Sequence, residues 1–317
     1  MRQLEGDYSL VALTEDTLMA ARDPLGIRPL CIGKLDGGWI IASESCALDH
    51  LGATYMRELE PGEVVIIDPQ GFHSSVWTGA TGRRALCVFE LIYFARPDSL
   101  LDNQLVHSVR QELGAQLARE HPVEADLVIG IPDSSTAAAV GYARESGIPF
   151  SEGLVKNRYV GRTFIEPEQR MRDLGVRQKF NPLTEVIAGQ RIVVVDDSIV
   201  RGTTTPHVVG LLRKAGAAEI HMRVCAPPIK HPCFMGVDMA TRQELIAANQ
   251  SVEEIRQFIA ADTLGYLDVK GLMKVVGGTD GGFCDACFTG NYPVPVQLEL
   301  TKLVLEEPPA ELELLSD

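Results

Sequence analysis

The sequence predicts an α/β protein in which a doubly wound parallel sheet over residues 86–295 follows a smaller antiparallel β region over residues 1–85. Two observations predict it. Residues 7–78 hold short alternating apolar runs broken by turns, the pattern of antiparallel strands. From about Gln104 onward, apolar runs alternate with stretches of helical spacing, as in a parallel sheet with crossover helices. The stretch after about Val296, rich in Leu and Glu with "EEPP" inside it, predicts a loosely held acidic tail over 296–317.

In chain order, "YSLVAL", "TLMAARD", "PLCIGKL", "GWIIASES" and "GEVVIID" read as strands, with "LDGGW" as a hairpin link. A boundary falls near residues 80–103. "NQLVHSVRQELGAQLAREH" is helical by spacing, "ADLVIGIP" is a buried strand, and "SSTAAAVGYARESG" is a helix ending at Gly147. "RIVVV" and "PHVVGLLRKAG" supply another β-α unit, and "EIHMRVCAPP" a further strand. Ser251 with Glu254 forms a capping box for "VEEIRQFIAA", and "YLDVKGLMKVVGG" reads as a helix with a glycine stop.

At 317 residues, 45% of them hydrophobic, the chain is long enough for two domains with their own cores. The start, "MRQLEGDYSL", lacks a signal-peptide apolar core, and no apolar stretch approaches the roughly 18 residues of a spanning helix. A cytoplasmic chain without membrane contact is expected. The formal net charge of −14 argues against nucleic acid as a partner, because binding a phosphate backbone needs a basic face. The charge is uneven: residues 156–179 hold seven Lys and Arg against three acids.

The stretch "RIVVVDDSIVRGTTTPHVV", Arg191 to Val209, carries the most chemistry. Ile192 to Val195 suit a strand buried on both faces, which puts Asp196 and Asp197 at its carboxyl end, where open α/β sheets bind ligands. Ser198, Arg201, Gly202, Thr203 and Thr204 follow as an anion cradle. Gly202 permits an unusual φ, the hydroxyls donate, and Pro206 at the first helical position leaves backbone N–H groups facing the loop. A phosphate fits this cradle, whereas the two carboxylates must meet hydroxyls or a hard cation. A sugar phosphate presents both ends. The G-K-[ST] of a P-loop and the G-x-G-x-x-G of a dinucleotide fold are missing from the run.

"VVVDDSIVRGTTT" resembles the phosphoribosylpyrophosphate (PRPP) signature of type I phosphoribosyltransferases, and its spelling is most similar to that of the glutamine PRPP amidotransferases. The resemblance implies transfer of an amino group to C1 of PRPP with release of pyrophosphate, giving 5-phosphoribosylamine at the start of purine synthesis. It implies Asp196 and Asp197 on the ribose hydroxyls and on Mg²⁺, and Ser198 to Thr204 on the 5-phosphate. In "DLVIGIPDSSTAAAVGYA" the strand runs into Asp133, Ser134 and Ser135, the pyrophosphate loop of the resembling family, with Ser135 helping to hold magnesium. "KNRYVGRTFI" matches that family's catalytic loop, in which Lys156, Arg158, Tyr159 and Arg162 would close over the diphosphate and exclude water. The transfer requires no enzyme nucleophile, since ammonia attacks C1 directly. Expected partners are PRPP, ammonia or glutamine, purine nucleotides as feedback inhibitors, and further copies of the chain. A non-catalytic PRPP-binding regulator would carry a DNA-binding module or an eroded lid. A base-salvage phosphoribosyltransferase would explain neither the strand-rich start nor the cysteines.

Cys284 and Cys287 form a C-x-x-C, Cys233 lies in "KHPCFMG" and Cys87 in "ALCVFELIYFARPDS". By spacing, four thiolates suit either tetrahedral Zn²⁺ or a [4Fe-4S] cluster. The resemblance favours the cluster, which one class of the amidotransferases carries on cysteines in such segments. Cys31, Cys46 and Cys225 lie in strand-like apolar contexts and are expected to be inert. "AARDPLGIRPLCIGKL" and "WIIASESCALDHLG" resemble the later half of the family's N-terminal-nucleophile glutaminase domain, whose amino-terminal cysteine attacks glutamine. Residue 2 here is Arg, so the chain is expected to begin inside that domain and to use ammonia alone if complete as given.

Overall fold

The structure, a computed structural model, describes residues 4, 6–77, 83–157, 159, 179–239, 241–279 and 281–296. Strands β1 (Ser9–Leu13) and β2 (Leu18–Arg22) pair antiparallel, and β3 (Cys31–Leu35) turns through Asp36 and Gly37 into β4 (Gly38–Ala42). Helix α1 (Ser45–His50) then leads to β5 (Thr54–Glu58), β6 (Glu63–Asp68) and β7 (Gly71–Val76). These strands form two antiparallel sheets, ordered β1-β2-β6-β7 and β4-β3-β5. Ala20, Leu30, Ile32, Leu59 and Val65 make their shared core. Arg22, almost wholly buried, ties the layers through backbone carbonyls of Arg28, Leu59 and Gly26 at 2.8, 2.6 and 3.1 Å. Strands β5 and β7 are additions to the sequence reading. β7 is exposed along its whole length, so it has no buried face to leave an apolar alternation. Cys46 is buried, but in α1 rather than in a strand.

The chain then runs through β8 (Ala85–Cys87), a π-helical turn (Glu90–Phe94), β9 (Leu100–Leu101), β10 (Gln104–Leu105) and helix α2 (Val106–Glu120). Next come β11 (Leu127–Gly130), α3 (Thr136–Ser146), the antiparallel pair β12 (Leu154–Lys156) and β13 (Phe180–Pro182), and α4 (Thr184–Ile187). The distal part comprises β14 (Arg191–Asp196), α5 (Thr205–Lys214), β15 (Glu219–Val224), α6 (Ile246–Asn249), α7 (Val252–Phe258), β16 (Thr263–Tyr266), α8 (Val269–Val276), β17 (Gly282–Cys284) and α9 (Ala286–Thr289).

The main sheet is parallel, ordered β11-β14-β15-β16, and Phe150 bridges in parallel to Val128 on the outer side of β11. After β11 the chain therefore goes first to one side and then returns, as β14, on the other. The strand order reverses between β11 and β14, and such a switch point opens a crevice at the carboxyl ends of the two strands.

Both faces of the sheet are covered, which explains why Ile192, Val193, Val194 and Val195 are all fully buried. Val193 and Val195 face a core with Leu113 and Leu117 of α2 and Tyr142 of α3. Ile192 and Val194 face a second core with Val208 and Leu212 of α5 and Ile255 of α7. Helices α2 and α3 approach backbone to backbone: a Cβ on Gly114 or Gly141 would collide with the carbonyl of Ala138 or Gln111. The capping box at Ser251 forms with both reciprocal bonds, and α3 ends at Gly147 with φ of 75°. Tyr266 and Leu267 do not join the last predicted helix. Tyr266 ends β16, and α8 starts at Val269 behind the Asp268 cap. Among the described residues no helix is long and apolar enough to cross a membrane.

Candidate functional site

Strand β14 ends in the two acids, and side-chain alternation starts them on opposite faces: Asp196 continues the row of Ile192 and Val194, Asp197 that of Val193 and Val195. A local bond reunites them, the Asp197 N–H donating to Asp196 Oδ1 at 2.9 Å. Across the switch point, Ser135 at the head of α3 is fully buried. Its hydroxyl lies 3.2 Å from Asp196 Oδ1 and 3.5 Å from Asp197 Oδ2. The Ser198 hydroxyl donates to Asp197 Oδ1 at 2.7 Å, and the Ser134 hydroxyl lies close enough to that carboxylate to act on its pKa. The structure thus gathers Ser134, Ser135, Asp196, Asp197 and Ser198 from two loops at one point.

Burial acts on both carboxyls at that point. Burial and then the charge of Asp197 raise the Asp196 carboxyl well above the usual range. Burial raises Asp197 too, against the hydroxyls of Ser134 and Ser198 and the charge of Arg110. Among the described residues neither carboxylate belongs to an ion pair; Arg110, buried in α2, is bonded to the carbonyls of Leu91 and Ala95 at 3.0 and 2.7 Å. Two carboxylates and a hydroxyl make an all-oxygen donor set of the kind a hard divalent ion takes.

The loop after the acids has the shape the sequence requires. Gly202 is buried at φ 70°, where a Cβ would lie 2.6 Å from Cδ1 of Ile246. Thr204 is the N-cap of α5, and its side chain makes no capping bond. Thr203 is exposed, and Pro206 sits second in the helix rather than first. Arg201 places its Nε and Nη2 on Glu244 Oε2 at 3.0 and 2.8 Å.

In the loop before α3, Asp133 is exposed and its carboxylate meets Lys156 Nζ at 2.6 Å. Burial and the neighbouring Lys156 charge lower the Lys179 pKa, while Asp196, Asp197 and Asp133 oppose that shift. Lys179 therefore lies within electrostatic reach of the acid pair, and Lys156 lies beside Lys179. Tyr159 is 99% exposed, and Arg158 and Arg162 lie outside the described residues. Three contributors escaped the sequence reading: Arg110, Glu244 and Tyr266. Arg110 left a trace, a cation in step with Val106, Val109 and Leu113 on the buried face of a helix.

The four cysteines from distant segments line one apolar cavity, together with Phe89 and Tyr292. Strand β8 pairs in parallel with β17 so that Cys87 stands opposite Cys284. The amides of Lys230 and His231 both donate to the Cys287 carbonyl at 3.0 Å, which holds that segment beside Cys233. Burial pushes the Cys87 thiol up to about 12, against the charge of Arg28. Burial, then the charges of Cys87, Cys233 and Cys284, carry Cys287 well above its ordinary value. Among the described residues no three Cys, His, Asp or Glu side chains close around a single-ion position.

Comparison with known proteins follows this division. Residues 97–232 match the phosphoribosyl transferase domain family and residues 1–50 the glutamine amidotransferase domain family. Amidophosphoribosyltransferase of Bacillus subtilis is 51% identical over 300 residues, covering 93% of this chain and 63% of the relative. That of Archaeoglobus fulgidus is 51% identical over 295 residues, covering 92% and 64%. The chain thus spans a little under two thirds of the length of these relatives. The solved structure of glutamine PRPP amidotransferase from B. subtilis, complexed with ADP and GMP, superposes with a TM-score of 0.87 at 50% identity, covering 95% of this chain and 67% of that one. On this identity, coverage and shared architecture, the chain belongs to the amidophosphoribosyltransferase family.

Proposed function

We propose that this chain transfers an amino group to C1 of PRPP, releasing pyrophosphate and forming 5-phosphoribosylamine, the first committed step of purine synthesis. The observation that carries the reading is the meeting of Ser135, Asp196 and Asp197 at the switch point, beside a glycine-turned hydroxyl loop. In the reaction the C1–oxygen bond to pyrophosphate breaks, a C1–nitrogen bond forms, and the attacking ammonia gives up one proton. Asp196 and Asp197 accept hydrogen bonds from the ribose hydroxyls and fix the face of C1 presented to ammonia. The Gly202–Thr204 loop and the start of α5 receive the 5-phosphate. Lys156, with Arg158, Tyr159 and Arg162 of the following segment, offsets the charge growing on the leaving group, and Asp133 and Ser134 line its path. Magnesium held by Asp196, Asp197 and Ser135 would neutralise part of the diphosphate charge.

The cysteine wall belongs to the same reading. Four thiols around one cavity suit the [4Fe-4S] cluster that the family resemblance implies, with one zinc as the alternative. The chain is read as a cytoplasmic homo-oligomer that takes nitrogen from ammonia or glutamine. The ADP and GMP of the B. subtilis complex support purine nucleotides as its inhibitors.

Asp196→Asn and Asp197→Asn test the reading. Each should cut ammonia-dependent pyrophosphate release from PRPP on the order of a hundredfold while the melting transition stays cooperative. Near wild-type release by both variants would overturn it.

A further inference from the structure

One buried donor beside the site is unexplained by this chemistry. Tyr266 closes β16, and the strand register puts it in one row with Val224 of β15 and Asp196 of β14. Register partners in a parallel sheet share a face, and Val194, Val224 and Tyr266 belong to the same core. Two strand spacings, roughly 9–10 Å between Cα atoms, separate Tyr266 from Asp196. A tyrosine is the longer of the two side chains that stand on this face of the sheet. The Tyr266 side chain is buried, the residue being 7% exposed, and its hydroxyl has no hydrogen-bond partner among the described residues. The hydrogen bonds those residues make to Asp196 all go to Oδ1, from Ser135 and from the Asp197 amide, and none goes to Oδ2. An unused donor and an unused acceptor therefore share one row at the edge of the ligand crevice. Phenylalanine would fill the same space without burying an unpaired hydroxyl, so packing alone does not account for tyrosine here. A tyrosine hydroxyl is a donor at neutral pH.

We propose that Tyr266 is a positioning residue for Asp196, its hydroxyl bonding Oδ2, directly or through one water, and so holding the carboxylate in the rotamer that receives the phosphoribosyl ligand. This rests on the PRPP reading of the site. Tyr266 touches no reacting atom, and its effect passes through Asp196. The bond is weak or open in the free protein and closes when the ligand draws the carboxylate into place.

The experiment is a double-mutant cycle on Tyr266→Phe and Asp196→Asn, read by calorimetric titration of the whole chain with PRPP and Mg²⁺ in the absence of any nitrogen donor. Tyr266→Phe should weaken PRPP about tenfold, the effect of one hydrogen bond to a charged group, with an unchanged or higher melting temperature. In the Asp196→Asn background the same change should alter affinity less than twofold. Unchanged affinity in Tyr266→Phe, with Asp196→Asn clearly weakened, would overturn the proposal and leave the site reading intact. So would an equal tenfold loss in both backgrounds, which would show that the ring acts through packing. Unchanged affinity in Asp196→Asn alone would overturn the PRPP reading itself, and this proposal with it.

Discussion

Gly202→Ala isolates how much of the loop proposed to receive the 5-phosphate is fixed by backbone conformation and how much by packing. At φ 70° an L-residue occupies the left-handed region, at a cost of about 1–2 kcal/mol. The new Cβ would also lie 2.6 Å from Cδ1 of Ile246, and because that atom is the tip of a side chain the contact falls near the low end of the about 1–3 kcal/mol that overpacking costs. Alanine restricts the unfolded chain and returns about 0.4–1 kcal/mol. The expected net loss is about 1–3 kcal/mol, read by denaturant unfolding. PRPP affinity should fall at least tenfold, because relief requires the loop to turn its amides away. Ile246→Val removes the colliding methyl. Combined with Gly202→Ala it should recover about 1 kcal/mol relative to additivity, leaving the φ cost in place. A Gly202→Ala protein as stable as wild type that binds PRPP normally would refute the cradle geometry. Strict additivity with Ile246→Val would refute the steric share.

Two further outcomes follow from other parts of the molecule. Protein prepared without oxygen should be brown and contain about four irons per chain, lost on changing any one of Cys87, Cys233, Cys284 or Cys287 to serine; stoichiometric zinc without iron would refute the cluster. Hydrogen bonds from the Arg191 side chain and amide lower the Asp126 pKa to about 2, so its contribution to stability is full above the ordinary value near 4 and is lost as pH falls through 2. Denaturant unfolding should therefore show Asp126→Asn less stable than wild type at neutral pH, the gap closing between about pH 4 and pH 2; a gap independent of pH would refute the linkage.

The acid pair, Gly202 and the small-residue helix after Ser135 were legible because each is local: a strand, a turn and a helix start follow one another within a few residues. The capping box at Ser251 was legible for the same reason. What escaped depends on register between distant segments. Tyr266 read as part of a helix because "YLDVKGL" keeps helical spacing up to its second residue, and only the pairing of β15 with β16 assigns it to the sheet. The pairing of Arg201 with Glu244, far along the chain, left no trace in the local pattern either. β7 escaped because an exposed strand need not alternate.

The cysteine wall illustrates how far such register effects reach. The amides of Ala85 and Cys87 donate to the carbonyls of Leu25 and Ile27 at 2.8 and 2.9 Å, and the same Ala85–Cys87 strand pairs with Gly282–Cys284. Three segments, one from the antiparallel region and one from near the end of the described chain, thus lie side by side at this seam. Arg28 crosses it, its Nη1 on Glu90 at 2.7 Å and its Nη2 on the Met235 carbonyl at 2.6 Å. A group that bound all four thiols would close the long spans from Cys87 to Cys233 and from Cys233 to Cys284. Closing long loops restricts the unfolded chain more than closing short ones, if only logarithmically. Its contribution would therefore be to stability and to the mounting of the antiparallel region on the main sheet. The transfer proposed for the switch point would require no electron from it, since neither the bond broken at C1 nor the bond formed changes by a redox step.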